Sequence, residues 1–312
     1  MKNQFSREYV YAVLQALFVT VLWSSSWVII KFGLDELPPL YFAGLRYLVG
    51  SLLLLTLVFI NSSHRNSLKN QGRRWWILLF VYGLVFITFT QGGQFLALSL
   101  LPAITVSFLL NLTPFVVILF SLFFLQEFPS RFEIFFFLIA LIGILYYFYP
   151  FQFELFSISG LLVGLGLVVV NALSSIIGRG INRGNSLHPL LITAISMSFG
   201  SILLLVFAFS FESIPSISLK SFIMILWLGV VNTALAFTLW NNAMRKIRAM
   251  DISIINGTMF PQIVFLSMVF LEEMPLMNEW IGLVILLIST FTLQFNRAKT
   301  SGKENSRTNI SR

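Results

Sequence analysis

One positively charged residue lies inside an apolar stretch of the sequence. Arg46 follows Pro39 by seven residues within Leu37–Phe59, a run long enough to cross a hydrocarbon core of roughly 30 Å as a helix. A charge at mid-helix costs about 2.5–3.5 kcal/mol on insertion scales and usually marks a functional site. A guanidinium facing a wet cavity can hold a carboxylate bidentately, or the C-terminal dipole of another helix. Because Arg46 lies only about 10 Å along the run, snorkelling to the interface is the alternative.

Two tryptophans and three serines interrupt another apolar run. Trp23 and Trp27 are four residues apart and share one helix face, with Ser24, Ser25 and Ser26 between them. Tryptophans deep in the hydrocarbon core, away from the interfacial belt, favour a cavity wall. Serines at that depth let helices approach closely or hydrogen-bond across them, and packing alone also explains these serines.

Uncharged polar residues recur at mid-run in both halves of the sequence. Amides in hydrocarbon must find partners, so helix packing is the alternative explanation for any single one of them. Their recurrence in equivalent runs favours one shared central pathway, with Arg46 as its charged member. The predicted substrate-binding residues are Trp23, Ser24, Trp27, Arg46, Gln91, Gln94, Asn111, Pro114, Asn171, Trp240, Asn256 and Gln262.

The sequence lacks the motifs of several other function classes. It has no G-x-x-x-x-G-K-[ST], no H-E-x-x-H and no cysteine, so we predict no catalytic residue, no metal site and no cofactor. His64 and His188 lie in or beside loops. No Asp or Glu lies deep in an apolar run, which makes an intramembrane enzyme or a carboxylate proton relay hard to build.

The elements that must position these residues are membrane helices. The chain is 57% hydrophobic and 10% charged, whereas a soluble domain carries about a quarter charged residues. Ten apolar runs can be drawn, at 10–32, 39–61, 75–96, 103–125, 132–149, 158–177, 189–209, 221–242, 252–271 and 276–295. The connections are short and leave no room for a soluble domain. The polar residues from 297 onwards are expected to lack regular structure.

The distribution of Lys and Arg predicts the orientation of these runs. With the N-terminus inside, 17 of the 20 Lys and Arg fall on the inner side and only Lys31 and Lys220 on the outer side. The positive-inside rule then places both termini in the cytoplasm. The same placement explains the net charge of +8 without nucleic acid as a partner.

The sequence also repeats itself. Leu37–Phe59 recurs 150 residues later as Leu187–Phe209, with a proline at the start of each copy. A second set of identical residues recurs at an offset of 146: Gly83 and Gly229, Ala97 and Ala243, Ala103 and Ala249, Glu127 and Glu273, Pro129 and Pro275. Arg46 has Ser196 as its counterpart, so the copies differ at the position where the first carries a charge that is costly to place in the membrane.

Each half of the sequence holds five runs. Because five is odd, the second half must enter the membrane with opposite polarity, which is the inverted-repeat design of secondary transporters. We therefore predict an all-α integral membrane protein with ten transmembrane helices as two inverted five-helix repeats. The repeats span residues 1–150 and 151–296, and residues 297–312 form a cytoplasmic basic tail.

These motifs resemble the EamA family of the drug/metabolite transporter superfamily. The resemblance is carried by W-S-S-S-W at Trp23–Trp27, by Pro39 with Arg46, and by Asn111 to Pro114 leading to Glu127. The second-half counterparts are Pro189, Asn256 to Pro261, Glu272 and Glu273. The resemblance implies export or exchange of small metabolites at the plasma membrane, and it covers nearly the whole chain.

The predicted function is a secondary transporter that moves a small organic metabolite, an amino acid or related compound, outward by alternating access. The alternative is a non-transporting multi-span protein, either an intramembrane enzyme or an assembly factor. The predicted partners are the small-molecule substrate and the lipid bilayer. Gly160 and Gly164 form a G-x-x-x-G motif, which predicts packing within the bundle or, alternatively, a homodimer interface.

Overall fold

The computed structural model describes residues 7–60, 66–68, 71–124, 130–150, 157–184, 188–247 and 249–310. Glu127 therefore lies outside the described residues. Within the described ranges the protein is helical and contains no strand. The principal helices are α1 (Arg7–Gly33), α2 (Pro39–Ile60), α3 (Arg73–Leu100), α4 (Ala103–Leu110), α5 (Thr113–Phe124), α6 (Arg131–Phe148), α7 (Ile158–Gly184), α8 (Pro189–Phe211), α9 (Leu219–Met244), α10 (Ala249–Gly257), α11 (Met259–Phe270) and α12 (Met277–Ile310).

Nine helical segments of the described chain are long and apolar enough to cross a membrane. They coincide with nine of the ten predicted runs, and α4 and the first part of α5 together form one of them. The predicted run at 252–271 contains most of α10 and all of α11, and its apolar helical part, Ile254–Phe270, is shorter. The expectation of an irregular tail is wrong, since the backbone of α12 stays helical to Ile310.

Two helices change from α-helical to π-helical hydrogen bonding in their middle. The segment is Leu84–Gln91 in α3 and Val230–Leu235 in α9. A π-helical turn shifts the angular position of all later residues, and such turns are frequent at functional sites. Threonine hydroxyls accompany both segments, because Thr90 donates to the carbonyl of Val85 and Thr233 to that of Leu228.

Two other membrane-crossing segments are interrupted. The chain turns at Asn111 and Leu112 between α4 and α5, and at Thr258 between α10 and α11. Pro114 lies in the first turn of α5, where a missing N–H is tolerated. The carbonyl of Leu110, four residues earlier, instead accepts a hydrogen bond of 2.6 Å from the Thr113 hydroxyl. The carbonyl that Pro114 leaves without a backbone partner is therefore hydrogen-bonded by a neighbouring side chain.

The two halves of the sequence interleave in space. The most extensive packing joins α2 to α8 and α6 to α12. Helix α1 packs on α9 and α11 of the second half, and α7 packs on α3 and α5 of the first. Helices of each half thus pack against helices of the other half.

Glycines permit close helix crossings, of which two concern the site. At the α3–α8 crossing, a Cβ on Gly83 would overlap the carbonyl oxygen of Ser196, and one on Gly200 would overlap the carbonyl oxygen of Gly83. These are contacts between backbones, which neither helix can relieve by moving a side chain. The close approach therefore requires glycine at both positions.

The α2–α9 crossing is held by side chains instead. A Cβ on Gly50 would lie 2.6 Å from the Thr233 methyl, and one on Gly229 would lie 2.7 Å from Val49. The nearest backbone atom to the second of these is the Arg46 carbonyl oxygen at 3.0 Å. This crossing brings Arg46 and Thr233 beside each other.

Candidate functional site

Arg46 lies inside the bundle between α1, α2 and α9. Its side chain is 5% exposed, with Nε donating to Thr233 Oγ1 at 3.1 Å and a terminal nitrogen donating to Ser26 Oγ at 3.5 Å. Both hydroxyls give their own protons to carbonyls, Ser26 to Leu22 and Thr233 to Leu228, so they turn lone pairs toward the guanidinium. No carboxylate of the described residues forms a salt bridge with Arg46.

Two aromatic rings flank the guanidinium. Its central carbon lies 5.0 Å from the Tyr47 ring centroid and 5.8 Å from that of Phe95. A desolvated cation over a ring gains about 2 kcal/mol, which offsets part of its burial. The Tyr47 hydroxyl donates to Gln91 Oε1 at 2.6 Å, which fixes its ring beside the charge. This contact brings Gln91, at the end of the α3 π-segment, into the same cluster.

The charge of Arg46 is only partly compensated. An arginine has five N–H donors, and two of them engage neutral hydroxyls here. Burying an ion without an opposite charge costs several kcal/mol, so an anion that entered the site would be strongly favoured. The planar guanidinium suits a carboxylate, which it can bind through two parallel hydrogen bonds.

Asn232 ties the serines of α1 to α9. It is fully buried, and its Nδ2 donates to Ser26 Oγ at 3.0 Å, to Ser25 Oγ at 3.3 Å and to the carbonyl of Leu22. Its Oδ1 has no hydrogen-bond partner in the described chain. The π-helical segment thus places Asn232 and Thr233, two consecutive residues, against α1 and α2.

A layer of aromatic rings adjoins this polar cluster. Trp23 lies 5.0 Å from Trp240 and 5.4 Å from Phe237, measured between ring centroids. Phe237 also contacts Phe86 of α3 at 6.5 Å. The structure therefore brings two predicted residues, Trp23 and Trp240, together near Arg46. Trp27 is elsewhere, buried in the main apolar core.

Ser24 and Gln262 pack α1 against α11. Ser24 Oγ donates to Gln262 Oε1 at 3.1 Å, and Gln262 Nε2 donates to the hydroxyls of Thr20 at 3.2 Å and Thr258 at 3.1 Å. The amide is thereby satisfied by neighbouring hydroxyls. These two predicted residues form a helix-packing network distinct from the Arg46 cluster.

The remaining predicted residues do not join the cluster. Asn171 donates to Thr113 Oγ1 at 3.1 Å and links α7 to α5, beside Pro114. Asn111 donates to the carbonyl of Ser107 at 2.9 Å and so caps its own helix. Gln94 is half-buried on α3 and Asn256 is exposed on α10.

Sequence reasoning missed four residues of the Arg46 cluster. Ser26, Tyr47, Phe95 and Thr233 contact the guanidinium, yet none was among the predicted site residues. Ser26 lies in the W-S-S-S-W motif, which was the available signal. Thr233 and Phe95 carry no sequence signal, since their role depends on how α3 and α9 are placed against α2.

Carboxylates link the connections at one end of the bundle. We call it the Lys31 end and define it by the α1–α2, α3–α4, α8–α9 and α11–α12 connections. Glu212 accepts hydrogen bonds of 2.9 Å from the backbone N–H groups of Leu40 and Tyr41, at the N-terminus of α2. A carboxylate is stabilised there by the helix dipole. This contact joins the second half of the chain to the first.

Glu273 makes the matching contact with α4. It accepts from the N–H groups of Ala103 at 2.7 Å and Ile104 at 2.9 Å. Lys31 donates to the carbonyl of Leu101 at 2.8 Å, and Leu101 lies in the short connection that precedes Ala103. Both carboxylates thus belong to the second half and hold helix N-termini of the first.

Glu36 adds a third contact at the Lys31 end. Hydrogen bonds from Ser218 and Ser221, with the ion pair to Lys220 at 3.2 Å, lower the pKa of Glu36 to about 2. The opposite end, which carries Tyr9, is held differently in the described chain. Tyr9 hydrogen-bonds Asp251, and an exposed pair joins Lys246 to Glu8 at 3.7 Å.

The fold and site together define a helical multi-span membrane protein with a buried, partly compensated cation at a helix crossing. The chain belongs to the EamA-like transporter family, whose profile matches twice, at residues 10–149 and 158–294. The predicted family resemblance is thereby confirmed, and the family is one of membrane transporters.

Two relatives agree with this assignment, and a solved structure shares the fold. An uncharacterized transporter of Bacillus subtilis, YoaV, is 28% identical over 92% of this chain and 98% of its own length. A second one from the same organism, YvbV, is 28% identical over 64% of this chain and 63% of its own. One crystal structure superposes with a TM-score of 0.63 at 18% identity, covering 93% of this chain and 99% of that one, which shows the shared fold alone.

The G-x-x-x-G motif packs within the chain. A Cβ on Gly160 would lie 2.9 Å from Leu101 and one on Gly164 would lie 2.6 Å from Leu109. Both glycines therefore face α4 and its preceding connection. Packing within the bundle is one of the two uses that the sequence predicts for this motif.

Proposed function

We propose that this protein is a secondary transporter of the plasma membrane that exports a small organic metabolite, an amino acid or related carboxylate, by alternating access. The observation that carries the proposal is Arg46. Its guanidinium lies inside the bundle of a transporter-family chain, contacts no described carboxylate and has donors to spare. A binding residue buried between helices of both halves is what a transporter with a central site needs.

The substrate carboxylate would bind the free edge of the guanidinium. Thr233 and Ser26 hold the opposite edge, so the plane is oriented before the substrate arrives. A lysine would keep the charge and lose the two-pronged contact. Arg46 would therefore select carboxylates over neutral analogues of the same shape.

The topology we propose is ten membrane-crossing helices arranged as two inverted repeats. In its support, the family profile matches each half once. Both halves contain a π-helical segment in the corresponding helix and an interrupted helix after it. The pairing of α2 with α8 and of α6 with α12 is what a pseudo-twofold axis in the membrane plane would produce.

Both termini would lie in the cytoplasm. The contacts at the two ends support this alternation. Glu36, Glu212 and Glu273 join connections that follow odd-numbered membrane-crossing segments, while Tyr9 contacts Asp251 at the other end. The Lys and Arg distribution then makes the Lys31 end the outer one.

Alternating access requires the contacts at the Lys31 end to open. Glu212 and Glu273 each join the two halves there, so the described conformation is closed at the end we propose to be outside. Rocking of the halves would separate these carboxylates from α2 and α4. Substrate bound at Arg46 could then leave outward.

The test is exchange in proteoliposomes that contain the purified protein. Vesicles are loaded with unlabelled amino acids and other small carboxylates from a panel. For each compound, uptake of its labelled form in exchange for the unlabelled form inside the vesicles is followed. We expect at least one carboxylate to exchange and its carboxamide analogue to exchange at least about tenfold more slowly. Equal exchange of acid and amide, or none for the whole panel, would overturn the proposal.

A further inference from the structure

We infer that the substrate carries a flat aromatic body as well as a carboxylate, and that Trp23, Trp240, Phe237 and Phe86 bind that body. The inference rests on the proposed function and specifies the substrate class of its site. Its basis is the position of these four rings relative to Arg46, which places an aromatic layer directly beside the cationic one.

Helices α1 and α9 run antiparallel and contact each other at two successive levels. At the first level Ser26 and Thr233 both bind the Arg46 guanidinium. At the second, Trp23 contacts Phe237 and Trp240. Trp23 precedes Ser26 by three residues, or about 4.5 Å of helix. Phe237 follows Thr233 by four residues, or about 6 Å in the same direction, toward the Tyr9 end.

Helix α3 supplies the third wall of both levels. Gln91 belongs to the level of Arg46 through its hydrogen bond with Tyr47. Five residues earlier, Phe86 contacts the Phe237 ring edge-on at the aromatic level and stacks on Tyr82 with centroids 5.3 Å apart. The aromatic layer therefore spans helices of both sequence halves, as a substrate site between moving halves must.

The rings of this layer differ from the aromatic core. Phe42 and Phe95 are fully buried and pack edge-to-face, and Phe108 lies stacked on Tyr147 at 4.0 Å. The four rings of the layer are only half-buried.

Trp23 meets its two neighbours in α9 at interplanar angles of 52° and 58° and centroid distances of 5.0 and 5.4 Å, so its ring already touches both of theirs. A flat substrate ring would pack on the remaining half-exposed faces and edges of these rings by offset or edge-to-face contact. A carboxylate on a short linker would then reach Arg46 one level away, so the two layers together recognise an aryl carboxylate.

The probes for the test are 3-phenylpropionate, 3-cyclohexylpropionate and 3-phenylpropionamide. The second keeps the carboxylate and loses the flat ring, and the third keeps the ring and loses the charge. Affinity is measured on the purified full-length protein by isothermal titration calorimetry. We expect 3-phenylpropionate to bind at least about tenfold more tightly than either analogue.

Trp240→Leu should reduce the preference for phenyl over cyclohexyl to about twofold or less while leaving the preference for acid over amide in place. The matched control is Trp227→Leu, because Trp227 lies on the same helix, is 51% exposed and makes no ring contact in the described chain. It should keep both preferences. Phe237→Leu is the second variant if Trp240→Leu fails to fold.

Failure of this inference is distinct from failure of the proposed function. If 3-phenylpropionate and 3-cyclohexylpropionate bind equally well, or if both ring variants keep the preference for phenyl, the aromatic layer does not select the substrate and the inference is overturned. Arg46-dependent exchange of other carboxylates would still support the transporter. Loss of acid selectivity itself, with exchange indifferent to the carboxylate, would overturn both.

Discussion

The α2–α9 and α3–α8 crossings place glycine at corresponding positions, yet different groups meet at the two crossings. Gly83 and Gly200 bring the backbones of α3 and α8 into direct contact. Gly50 and Gly229 bring α2 and α9 close, but side chains fill the gap. The position of Arg46 at this second crossing is taken by Ser196 at the first, in the repeat that the sequence indicates.

The difference shows how one arrangement can serve two purposes. Ser196 is fully buried and donates only to the carbonyl of Thr193 in its own helix, at 3.3 Å. The α3–α8 crossing is further tied by Thr88, which donates to the carbonyl of Gly200 at 2.9 Å. This crossing is therefore held by direct backbone contact and by a hydrogen bond between the two helices. The α2–α9 crossing instead buries a cation whose charge is only partly compensated.

The largest effect should come from a methyl group at the tight crossing. Gly83→Ala drives a Cβ into the Ser196 carbonyl, and backbone overlap of this kind costs about 1–3 kcal/mol or more. We expect the yield of monodisperse protein and its thermal midpoint to fall sharply. Gly50→Ala meets a Thr233 side chain and should be milder, and Gly166→Ala, where nothing lies within 4 Å, should be silent. Equal losses of yield and thermal midpoint in Gly83→Ala and Gly50→Ala would show that the two crossings are equally tight.

Thr233→Val tests the polar support of the second crossing. The change keeps the shape of the side chain but removes the acceptor for Arg46 Nε. A lost hydrogen bond to a charged group costs about 1.5–3 kcal/mol, so we expect roughly tenfold or greater loss of substrate affinity. Thr88→Val at the other crossing is the control, and affinity there should stay near wild type. A loss of substrate affinity of the same size in both variants would show that the hydrogen bond from Arg46 to Thr233 does not support binding specifically.

Opening of the Lys31 end should be easier without its carboxylates. The chain has no native cysteine, so a single Leu101→Cys reports accessibility without background, and Leu101 is 2% exposed. Adding Glu273→Gln should raise the labelling rate by an impermeant thiol reagent roughly fivefold, because one of two N–H groups of α4 loses its partner. Glu8→Gln at the opposite end should leave the rate unchanged. An unaltered rate in the Glu273 variant would show that Glu273 does not hold this end closed.

The smallest effect concerns Glu36, which is exposed at the Lys31 end. Its folded pKa is about 2 against an ordinary value of 4.5, so the carboxylate contributes stability above about pH 4.5 that is lost as the pH falls toward 2. The thermal midpoint of the wild type should therefore decline across this window more than that of Glu36→Gln. Parallel declines would mean that Ser218 and Ser221 do not hold the charged form.

Much of the fold could be predicted from the sequence. Apolar runs of sufficient length determine where helices cross, and nine of them match the described segments. Pro39 and Pro189 begin α2 and α8 because proline fits the first turn. The all-helical membrane fold and the family are confirmed. The interruptions at Asn111 and Thr258 do not show in the hydropathy, which continues through them; the nearby Pro114 and Pro261 indicate only that a kink is possible there.

The site was harder to predict than the fold. Arg46 is recognisable because a charge in an apolar run is rare. Its partners Thr233 and Phe95 lie on other helices, and their register against α2 is set by glycine contacts and by π-helical turns that periodicity does not reveal. Amides such as Gln262 were assigned to the site on polarity alone, whereas hydroxyls on neighbouring helices satisfy them. Polarity predicts that a partner exists but not which one.

We propose that Arg46 binds the substrate carboxylate at the α2–α9 crossing and that Ser196, its counterpart at the α3–α8 crossing, has no such role. The most direct measurement is efflux of the substrate found by exchange, from proteoliposomes carrying Arg46→Lys or Ser196→Ala, normalised to inserted protein. We predict that Arg46→Lys lowers the rate at least about tenfold while the protein stays folded, because the charge remains and the planar contact is lost. Ser196→Ala should transport near the wild-type rate. A wild-type efflux rate in Arg46→Lys, or an equal loss of rate in both variants, would overturn this role of Arg46.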